Sequence, residues 1–328
     1  MSMRAALRNQ TILVTGGAGF IGSHLVDRLL VDGAAHVVVV DNLFLGNEDN
    51  LDAALATGRA TFYCDDIEFV TSLEYIFGRH RIDTVFNCAT KALNYSFLNP
   101  SHAFSTNVAG VLNLLELQRA GRFRSLCHFS TSEVYGTAVY EPMDEAHPRN
   151  PTTTYAAGKV AADVALESYV RMFGLDAFIV RPFNNYGPRQ NHKGMLASII
   201  PLTAWRVLNG IPPEIHGTGQ QSRDFIHVAD TVDAVVKLYD VMPAGDNINI
   251  SANNQITVEQ LIHRICDHFG YAGEIPRKEA RKSDVLCHNA SNARVQAMIN
   301  YQLTPFDQGL AQTLDWYRAK LGQPPSKP

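Results

Sequence analysis

Tyr155 and Lys159 are the two residues whose types and spacing most directly suggest chemistry. They stand four positions apart in the sequence Tyr-Ala-Ala-Gly-Lys, and a helix would place both side chains on one face. A neighbouring ammonium favours the phenolate form of a tyrosine, so Lys159 is expected to lower the pKa of Tyr155. The pair therefore predicts a group that removes a proton from a substrate hydroxyl.

A glycine-rich turn lies near the start of the chain, where residues 16–22 read GGAGFIG after the apolar run at 12–15. Glycines there let backbone N–H groups approach a pyrophosphate and let the next helix pack close to the sheet. Asp41 ends the second apolar run, where a carboxylate would accept hydrogen bonds from ribose hydroxyls. Asn42 stands beside it, and no basic residue is near to hold a 2′-phosphate, which favours NAD over NADP.

The elements that must position these residues alternate along the first half of the chain. Strands are predicted at 11–14, 36–40, 60–63, 83–88, 125–130 and 177–180, and helices at 21–30, 103–119 and 155–173. Continuous apolar strands separated by helices indicate a parallel sheet that is covered on both faces. We therefore expect an α/β fold built on a doubly wound parallel sheet of the Rossmann type.

Beyond residue 181 the amino-acid composition of the sequence changes. Residues 182–221 are rich in Pro, Gly and Asn, which predicts an insertion above the sheet. Apolar runs return at 225–228 and 248–250, followed by predicted helices at 258–269 and near 309–321. We expect 1–181 plus about 224–255 to form a dinucleotide-binding domain, and about 182–223 plus 256–328 to form a smaller, discontinuous α/β substrate lobe.

Composition and charge exclude several classes of protein. The chain has 328 residues, of which 46% are hydrophobic and 18% charged, with a formal net charge of -4, as in folded globular proteins. This balance argues against a nucleic-acid partner, and no apolar run approaches the roughly 18 residues needed to cross a membrane, so a cytoplasmic protein is predicted. The cysteines and histidines lack metal-binding spacings, and no metal site is expected.

The chain resembles the extended short-chain dehydrogenase/reductase family, in its nucleotide-sugar epimerase and dehydratase branch, over nearly its full length. Four motifs carry the resemblance: the glycine turn, STSEVYG at 130–136, Tyr155 with Lys159, and RPFNNYGPR at 181–189. The resemblance implies that Tyr155 is the acid/base and that Lys159 holds the nicotinamide ribose. It also implies that Thr131 supplies the hydroxyl that completes the triad.

The resemblance implies NAD as the cofactor and assigns a set of residues to it. Asp66 follows the third predicted strand and is expected to meet the adenine, unless it serves as a helix N-cap. The residues expected to bind NAD are Gly16, Gly19, Phe20, Ile21, Gly22, Asp41, Asn42, Asp66, Ile67, Ala89 and Lys159.

Glu133 carries the information about which reaction is catalysed. Epimerases similar to this chain have small or hydroxyl residues at this place, whereas 4,6-dehydratases and uronate decarboxylases have a glutamate. A dehydratase needs a carboxylate to take the C5 proton once C4 is a ketone, and Glu133 is the candidate. Many such dehydratases pair the glutamate with an aspartate that protonates the leaving hydroxyl, but here that residue is Ser132.

Cations and amides elsewhere in the chain are expected to bind the substrate. Lys91 follows the fourth predicted strand, at the edge where ligands bind in open sheets, and either faces the sugar or its phosphates or is a solvated loop lysine. An arginine fork suits bridging phosphate oxygens, so a few local arginines can hold a diphosphate despite the net negative charge. The residues expected to bind the substrate are Lys91, from its position at the sheet edge, and Ser96, Asn184, Arg189, Arg223 and Arg281, from the resemblance.

The resulting hypothesis is an NAD-dependent 4,6-dehydratase that acts on a nucleotide diphosphate sugar. A UDP-glucuronate decarboxylase is weakened because the segment before Asn289 contains His288 and no arginine. The sequence is also compatible with a nucleotide-sugar 4-epimerase and, more remotely, with a non-catalytic NAD-sensing regulator. The resemblance further suggests a homodimer that forms through the helices at 103–119 and 155–173.

Overall fold

The computed structural model describes residues 4–280 and 288–322, and its strands follow the predicted runs closely. The strands are β1 (Thr11–Thr15), β2 (His36–Asp41), β3 (Ala60–Cys64), β4 (Thr84–Asn87), β5 (Ser125–Phe129), β6 (Asp176–Pro182), β7 (Asn184–Tyr186), β8 (Ile215–His216), β9 (Ser222–Arg223), β10 (Phe225–His227), β11 (Asn247–Ile250), β12 (Ile256–Thr257) and β13 (Arg277–Lys278). Seven of them form one parallel sheet in the order β11-β6-β5-β4-β1-β2-β3. The predicted doubly wound parallel sheet is confirmed.

Helices cover both faces of this sheet. They are α1 (Phe20–Val31), α2 (Asp52–Ala56), α3 (Val70–Arg79), α4 (Pro100–Arg119), α5 (Thr154–Phe173), α6 (Ile199–Leu208), α7 (Val228–Val241), α8 (Val258–Phe269), α9 (Ala293–Met298) and α10 (Phe306–Leu321). One face of the sheet packs in a core with α1 and α7, and the other packs in a core with α3, α4 and α5. Because both faces are buried, the strands are continuous apolar runs rather than alternating ones.

The order of the strands brings the chemically interesting turns together. β1 lies between β2 and β4, with Thr15 opposite both Val40 and Asn87. The carboxyl ends of these three parallel strands therefore meet at one edge of the sheet. The glycine turn follows β1, Asn42 follows β2 and Ala89 follows β4, so all three segments open onto that edge.

Helix α5 carries the Tyr155 and Lys159 pair and is fixed at both of its ends. Thr153 caps its start by accepting a hydrogen bond from the Ala156 N–H at 3.2 Å, and Gly174 ends it in the left-handed conformation. The helix packs closely on α4 at Gly158, where an added Cβ would lie 2.9 Å from the carbonyl oxygen of Phe104. Glycine is therefore needed for this helix contact.

The second half of the chain contains three helices that the sequence did not predict, namely α6, α7 and the short α9. Helix α6 lies inside the stretch expected to be an irregular insertion, and its Pro201 sits in the first turn, where a missing N–H costs little. Helix α7 follows β10 without a break and packs against α1. The prediction failed in the first case because Pro and Gly dominate the flanking sequence, and in the second because β10 and α7 share one apolar run.

A smaller core forms beside the sheet from α6, α8 and α10. It includes Ala204, Ile265 and Leu314, and short strand pairs border it. Val295 of α9 instead packs in the core beneath the sheet. The chain thus crosses between the two regions repeatedly after residue 182, and the division into two lobes stays a prediction.

Candidate active site

A cavity of about 530 Å³ opens at the carboxyl edge of the sheet. It is lined by most of the predicted site residues, namely Gly16, Gly19, Phe20, Ile21, Gly22, Asp41, Asn42, Asp66, Ile67, Ala89, Lys91, Thr131, Tyr155, Lys159, Asn184 and Arg189. The predicted residues Ser96, Ser132, Glu133 and Arg223 are not among the described residues that line the cavity. Arg281 lies outside the described residues.

The glycine turn is shaped so that side chains would fill it. Gly16 has a φ of 66°, and a Cβ on it would lie 2.7 Å from the Ala89 nitrogen. A Cβ on Gly22 would overlap the carbonyl oxygen of Gly16. Gly19 is the N-cap of α1 and brings no side chain to the helix N-terminus, which lines the cavity with Gly19, Phe20 and Ile21. This cradle fits the pyrophosphate of a dinucleotide.

Asp41 is a buried carboxylate at the end of β2. Its oxygens accept hydrogen bonds from the backbone N–H groups of Ala18 at 3.1 Å and Leu43 at 2.8 Å. Burial raises the pKa of Asp41, and these backbone donors act in the opposite direction. Asp41 therefore ties the glycine turn to the end of β2 and supplies an acceptor at the cavity wall.

A second acid lies close to Asp41. Asp66 accepts a hydrogen bond from the side-chain amide of Asn42 at 2.5 Å, and its charge adds to the rise in the pKa of Asp41. Helix α3 has Phe69 at its N-cap, so the interpretation of Asp66 as the cap of that helix is wrong. Two neighbouring acids would repel a 2′-phosphate, which agrees with a cofactor that carries ribose hydroxyls.

Tyr155 lies buried at the first turn of α5, beside two hydroxyl groups. Thr131 and Thr90 hydrogen-bond its phenol and lower its pKa, whereas burial and the charge of Glu133 raise it, with a net rise to about 12. The expected lowering by Lys159 is not among these effects. The pair shares one helix face, but other groups determine how readily the phenol of Tyr155 loses its proton.

Lys159 is almost completely buried, with 1% of its surface exposed. Its ammonium donates a hydrogen bond to the carbonyl oxygen of Phe129 at 2.8 Å. Burial lowers the pKa of Lys159 to about 8, and the charge of Asp163 opposes this effect. The ammonium is thus held at the end of β5, on the wall of the cavity, with little freedom to move.

The STSEVYG motif turns directly after β5. Thr131 caps a short 3-10 helix, Ser132–Tyr135, by accepting a hydrogen bond from the Glu133 N–H at 3.2 Å. Burial raises the pKa of Glu133, and the charge of Arg223 lowers it. Ser132 is buried. The turn thus places the Glu133 carboxyl close enough to Tyr155 to influence its pKa, just behind the residues that line the cavity.

Lys91 is buried and lies 4.4 Å from the ring centroid of Phe44. Phe44 in turn makes an edge contact with Tyr95 at 4.8 Å. Phe44 belongs to the loop after Asn42, so this contact ties Lys91 to the half of the cavity expected to hold the cofactor. The interpretation of Lys91 as a solvated loop lysine is wrong, and its binding to the sugar stays a prediction.

The remaining predicted substrate residues are spread around the second half of the site. Asn184 donates a hydrogen bond to the Asp224 carbonyl at 3.4 Å, and Arg189 pairs with Asp27 at 2.8 Å. Ser96 donates to the Leu93 carbonyl at 2.7 Å inside a 3-10 turn. Arg223 lies on β9, where its charge acts on both Glu133 and His288.

Sequence reasoning missed Thr90 and Phe44. Thr90 hydrogen-bonds Tyr155 and also donates to the side-chain carbonyl of Asn107 at 2.7 Å. A threonine next to Lys91, after a predicted strand, was the signal that could have identified it. Nothing in the sequence around Phe44 indicated its role, because its contacts come from the loop after another strand.

Metal sites and membrane spans are both absent from the described part of the chain. No group of three or more His, Cys, Asp or Glu side chains among residues 4–280 and 288–322 is arranged to hold a metal ion. Within the same ranges no helix has the length and apolar character required to span a membrane.

Comparison with known proteins identifies the family. The model of the NAD dependent epimerase/dehydratase family matches residues 12–251. The chain is 33% identical over 311 residues to a UDP-glucose 4-epimerase of Mycolicibacterium smegmatis, covering 94% of this chain and 98% of that protein. It is 31% identical over 319 residues to UDP-glucuronic acid decarboxylase 1 of Xenopus tropicalis, covering 94% and 72% of the two chains.

A solved structure extends the comparison to the third activity. The dTDP-glucose 4,6-dehydratase of Streptomyces venezuelae, crystallised with NAD and TYD bound, superposes with a TM-score of 0.90 at 30% identity, covering 95% of this chain and 98% of that one. The three similarities are of nearly equal size, so they establish the family and leave the reaction to be argued from the site. The chain belongs to the NAD-dependent epimerase/dehydratase family, whose members are epimerases, dehydratases and decarboxylases of nucleotide sugars.

Proposed function

We propose that this chain is a cytoplasmic, NAD-dependent nucleotide-sugar 4,6-dehydratase that forms a 4-keto-6-deoxy sugar nucleotide. The observation that supports it is the Glu133 carboxyl, which is half-buried and lies close enough to Tyr155 for its charge to raise the pKa of that tyrosine. A carboxyl next to the acid/base residue is what elimination across C5 and C6 requires. Epimerisation at C4 alone needs no such group.

The chain's residues divide the proton transfers of this reaction. The Tyr155 phenolate accepts the O4 proton as C4 becomes a ketone, and the hydroxyls of Thr131 and Thr90 stabilise that phenolate before the transfer. NAD held by the glycine turn, Asp41 and Lys159 would supply the hydride acceptor for C4 and the hydride donor for C6. Glu133 accepts the C5 proton, which the adjacent ketone has made acidic. Lys159 holds its positive charge at the wall of the cavity.

Departure of the 6-hydroxyl as water requires a proton. Ser132 is a weak acid, so it is a poor replacement for the aspartate of many similar dehydratases. Glu133 becomes a carboxylic acid when it takes the C5 proton. We propose that Glu133 then donates this proton to the departing hydroxyl. When hydride returns at C6, C5 takes up a proton from solvent, and Tyr155 releases the O4 proton to solvent, so that both residues return to their starting states. The raised pKa of Glu133 fits such a dual role.

Product analysis tests the proposal directly. The purified enzyme would be incubated with UDP-, dTDP-, GDP- and CDP-linked hexoses and with UDP-glucuronate, and the products read by mass and NMR. Loss of one water from a hexose nucleotide is the expected result. A product of unchanged mass with an inverted C4 centre would contradict dehydration, and so would loss of carbon dioxide from the uronate as the main reaction.

The 4-epimerase is the second candidate, and one feature of the site favours it. Ser132 supplies a hydroxyl at the place where many dehydratases have an acid, and the epimerase of Mycolicibacterium smegmatis is as similar to this chain as any protein compared above. The decarboxylase gains no support from His288. Its imidazole is buried and its pKa is lowered to about 4, so it carries no positive charge for a uronate at neutral pH.

We also propose that the chain forms a homodimer through α4 and α5. Both helices expose large apolar side chains to solvent, including Phe104 at 40% and Val164 at 42% exposure. Apolar residues of this size on two adjacent helices are typical of a surface that a partner covers. The two helices would form a four-helix bundle with the same pair of a second copy.

A further inference from the structure

A buried ion pair lies one helical turn beyond Lys159, and the reaction proposed above does not use it. Asp163 follows Lys159 by four residues on α5 and is 0% exposed. One of its carboxylate oxygens, Oδ2, accepts hydrogen bonds from Arg181 Nε at 3.2 Å and Nη2 at 2.9 Å. Arg181 is 1% exposed. A carboxylate without water contact normally has a defined electrostatic or structural role.

The groups around the Lys159 ammonium show what that role is. Those that face it are Asp163 on its own helix, Cys88 beyond β4 and His128 on β5. Burial raises the pKa of the Cys88 thiol and lowers the pKa of His128 well below its usual value, so both are neutral near pH 7. Among the described groups that face the ammonium, Asp163 is therefore the one that can be ionised.

Asp163 is shared between two cations. Its second oxygen, Oδ1, is free of the Arg181 fork and lies 3.9 Å from His128 Nε2. Burial raises the pKa of Asp163, while Arg181, Ser130 and Lys159 all lower it. The fork of Arg181 fixes the carboxylate. The four-residue spacing places Asp163 one helical turn from Lys159, where its charge raises the pKa of the ammonium.

We propose that Asp163 is a positioning residue, the counter-ion that keeps the Lys159 ammonium charged and seated on the Phe129 carbonyl. The inference rests on the proposed function only in giving Lys159 a role in the cofactor half of the site. It holds whether the enzyme dehydrates or epimerises its sugar. Arg181 acts indirectly, by holding the Asp163 carboxylate in place.

The effect on pH dependence has a definite sign. Burial has lowered the pKa of Lys159 to about 8, and Asp163 holds it above the value that burial alone would give. The ammonium loses its proton as the pH rises through this pKa, so functions that need the charge decline there. Removal of an adjacent opposite charge moves a pKa by about 1 unit or more. Without Asp163 the decline should therefore begin at least about 1 pH unit lower.

The experiment is a pH profile of NADH affinity, measured by fluorescence from about pH 6 to about pH 10. In the wild-type enzyme the affinity should fall near pH 8, and in Asp163→Asn the fall should move down by about 1 pH unit. Asp163→Glu keeps the charge and should keep the wild-type profile. Arg181→Lys disturbs the fork but leaves Asp163 in place, so it should lower the melting temperature without moving the profile.

A double variant keeps the test valid if Asp163→Asn does not fold. Asp163→Asn with Arg181→Met removes both buried charges together, which proteins tolerate better than an unpaired charge. It should show the same downward shift. An unchanged profile in the folded variant would overturn the proposal, and so would a wild-type affinity that stays flat through pH 9. The proposed reaction is judged separately, because product mass and stereochemistry do not depend on this profile.

Discussion

At the scale of single residues, Tyr155 and Glu133 show how one site raises the pKa of two acids for related reasons. Tyr155 is buried and Glu133 is half-buried, and the charge of Glu133 adds to the rise in the pKa of Tyr155. Thr131 and Thr90 oppose that rise by hydrogen-bonding the phenol. Tyr155 therefore keeps its proton near neutral pH, and the pKa of Glu133 lies above its usual value.

Glu133→Gln should separate oxidation from elimination. The amide cannot accept the C5 proton, so dehydration is expected to fall by about 10²–10⁴-fold. Oxidation at C4 does not need Glu133, and reduced cofactor should accumulate on the enzyme, where its absorbance is measured. Glu274→Gln changes an exposed glutamate that does not line the cavity and should retain full activity. Wild-type turnover by Glu133→Gln would instead favour epimerisation.

His288 should make the fold sensitive to acid. Its pKa is about 4 in the folded protein, lowered by burial, against 6.5 when solvated. Between these values the unfolded chain binds the proton and the folded one does not, so stability is lost as the pH falls from about 6.5 to about 4. The contribution is about 3 kcal/mol for a shift of this size.

Urea unfolding at several pH values measures this contribution. His288→Gln cannot take up the proton, so its free energy of unfolding should fall less steeply between about pH 6.5 and about pH 4. His263→Gln replaces an exposed histidine on α8 and should keep the wild-type slope. If His288→Gln and the wild type show parallel pH dependence, the imidazole is not held neutral by burial.

At the scale of elements, the glycine turn is the part of the site most dependent on close backbone contact. A methyl group at Gly22 would overlap the Gly16 carbonyl and push α1 away from β1. Overpacking of this kind costs about 1–3 kcal/mol, so Gly22→Ala should weaken NADH binding by about 10-fold or more. Fluorescence titration measures it.

Gly78→Ala is the matched control for that variant. Gly78 also lies in a helix, but an added Cβ there meets nothing within 4 Å. Its NADH affinity should equal that of the wild type, and helix propensity should make it slightly more stable. Equal loss of affinity in both variants would mean that helix dynamics, not contact in the turn, is responsible.

How far the sequence predicts these elements depends on how local their signals are. The strands of the sheet were predictable because burial on both faces makes each one a continuous apolar run. The turn, Asp41 and the Tyr155 pair were predictable because each motif lies within a few residues of a strand or on one helix. Phe44 and Thr90 belong to the site because β2 and β4 both lie next to β1. The order of strands in the sheet is not encoded in a local sequence pattern, so the placement of these two residues in one site could not be predicted.

Helix α6 and the contact of Lys91 with Phe44 were also not predicted, because both depend on residues distant in the sequence. The amphipathic run of α6 is surrounded by Pro, Gly and Asn, and its core contacts with α8 and α10 come from segments far along the chain. Lys91 was predictable as a cation at the sheet edge. Its stacking on Phe44 depended on a loop after a different strand.

At the scale of the whole molecule, the proposed dimer interface includes the helix that carries Tyr155. Val164 lies on the same helix as Tyr155, and Phe104 lies on the helix packed against it. Phe104→Glu with Val164→Glu should place charges in the interface and yield monomers in sedimentation velocity. Val31→Glu, at an exposed apolar position on α1, should leave the assembly unchanged. A wild-type chain that sediments as a monomer would contradict the proposal.

The close contact at Gly158 restricts which residues can occupy position 158. Tyr155 and Lys159 flank that glycine on α5. The atom that an added Cβ would meet belongs to the backbone of α4, so a larger residue at position 158 would have to push the two helices apart. Glycine costs a helix about 1 kcal/mol relative to alanine, and that penalty is smaller than the cost of such a displacement. A combinatorial library randomised at position 158 and selected for turnover should consequently return glycine almost alone, although alanine would be the residue of choice for an isolated helix.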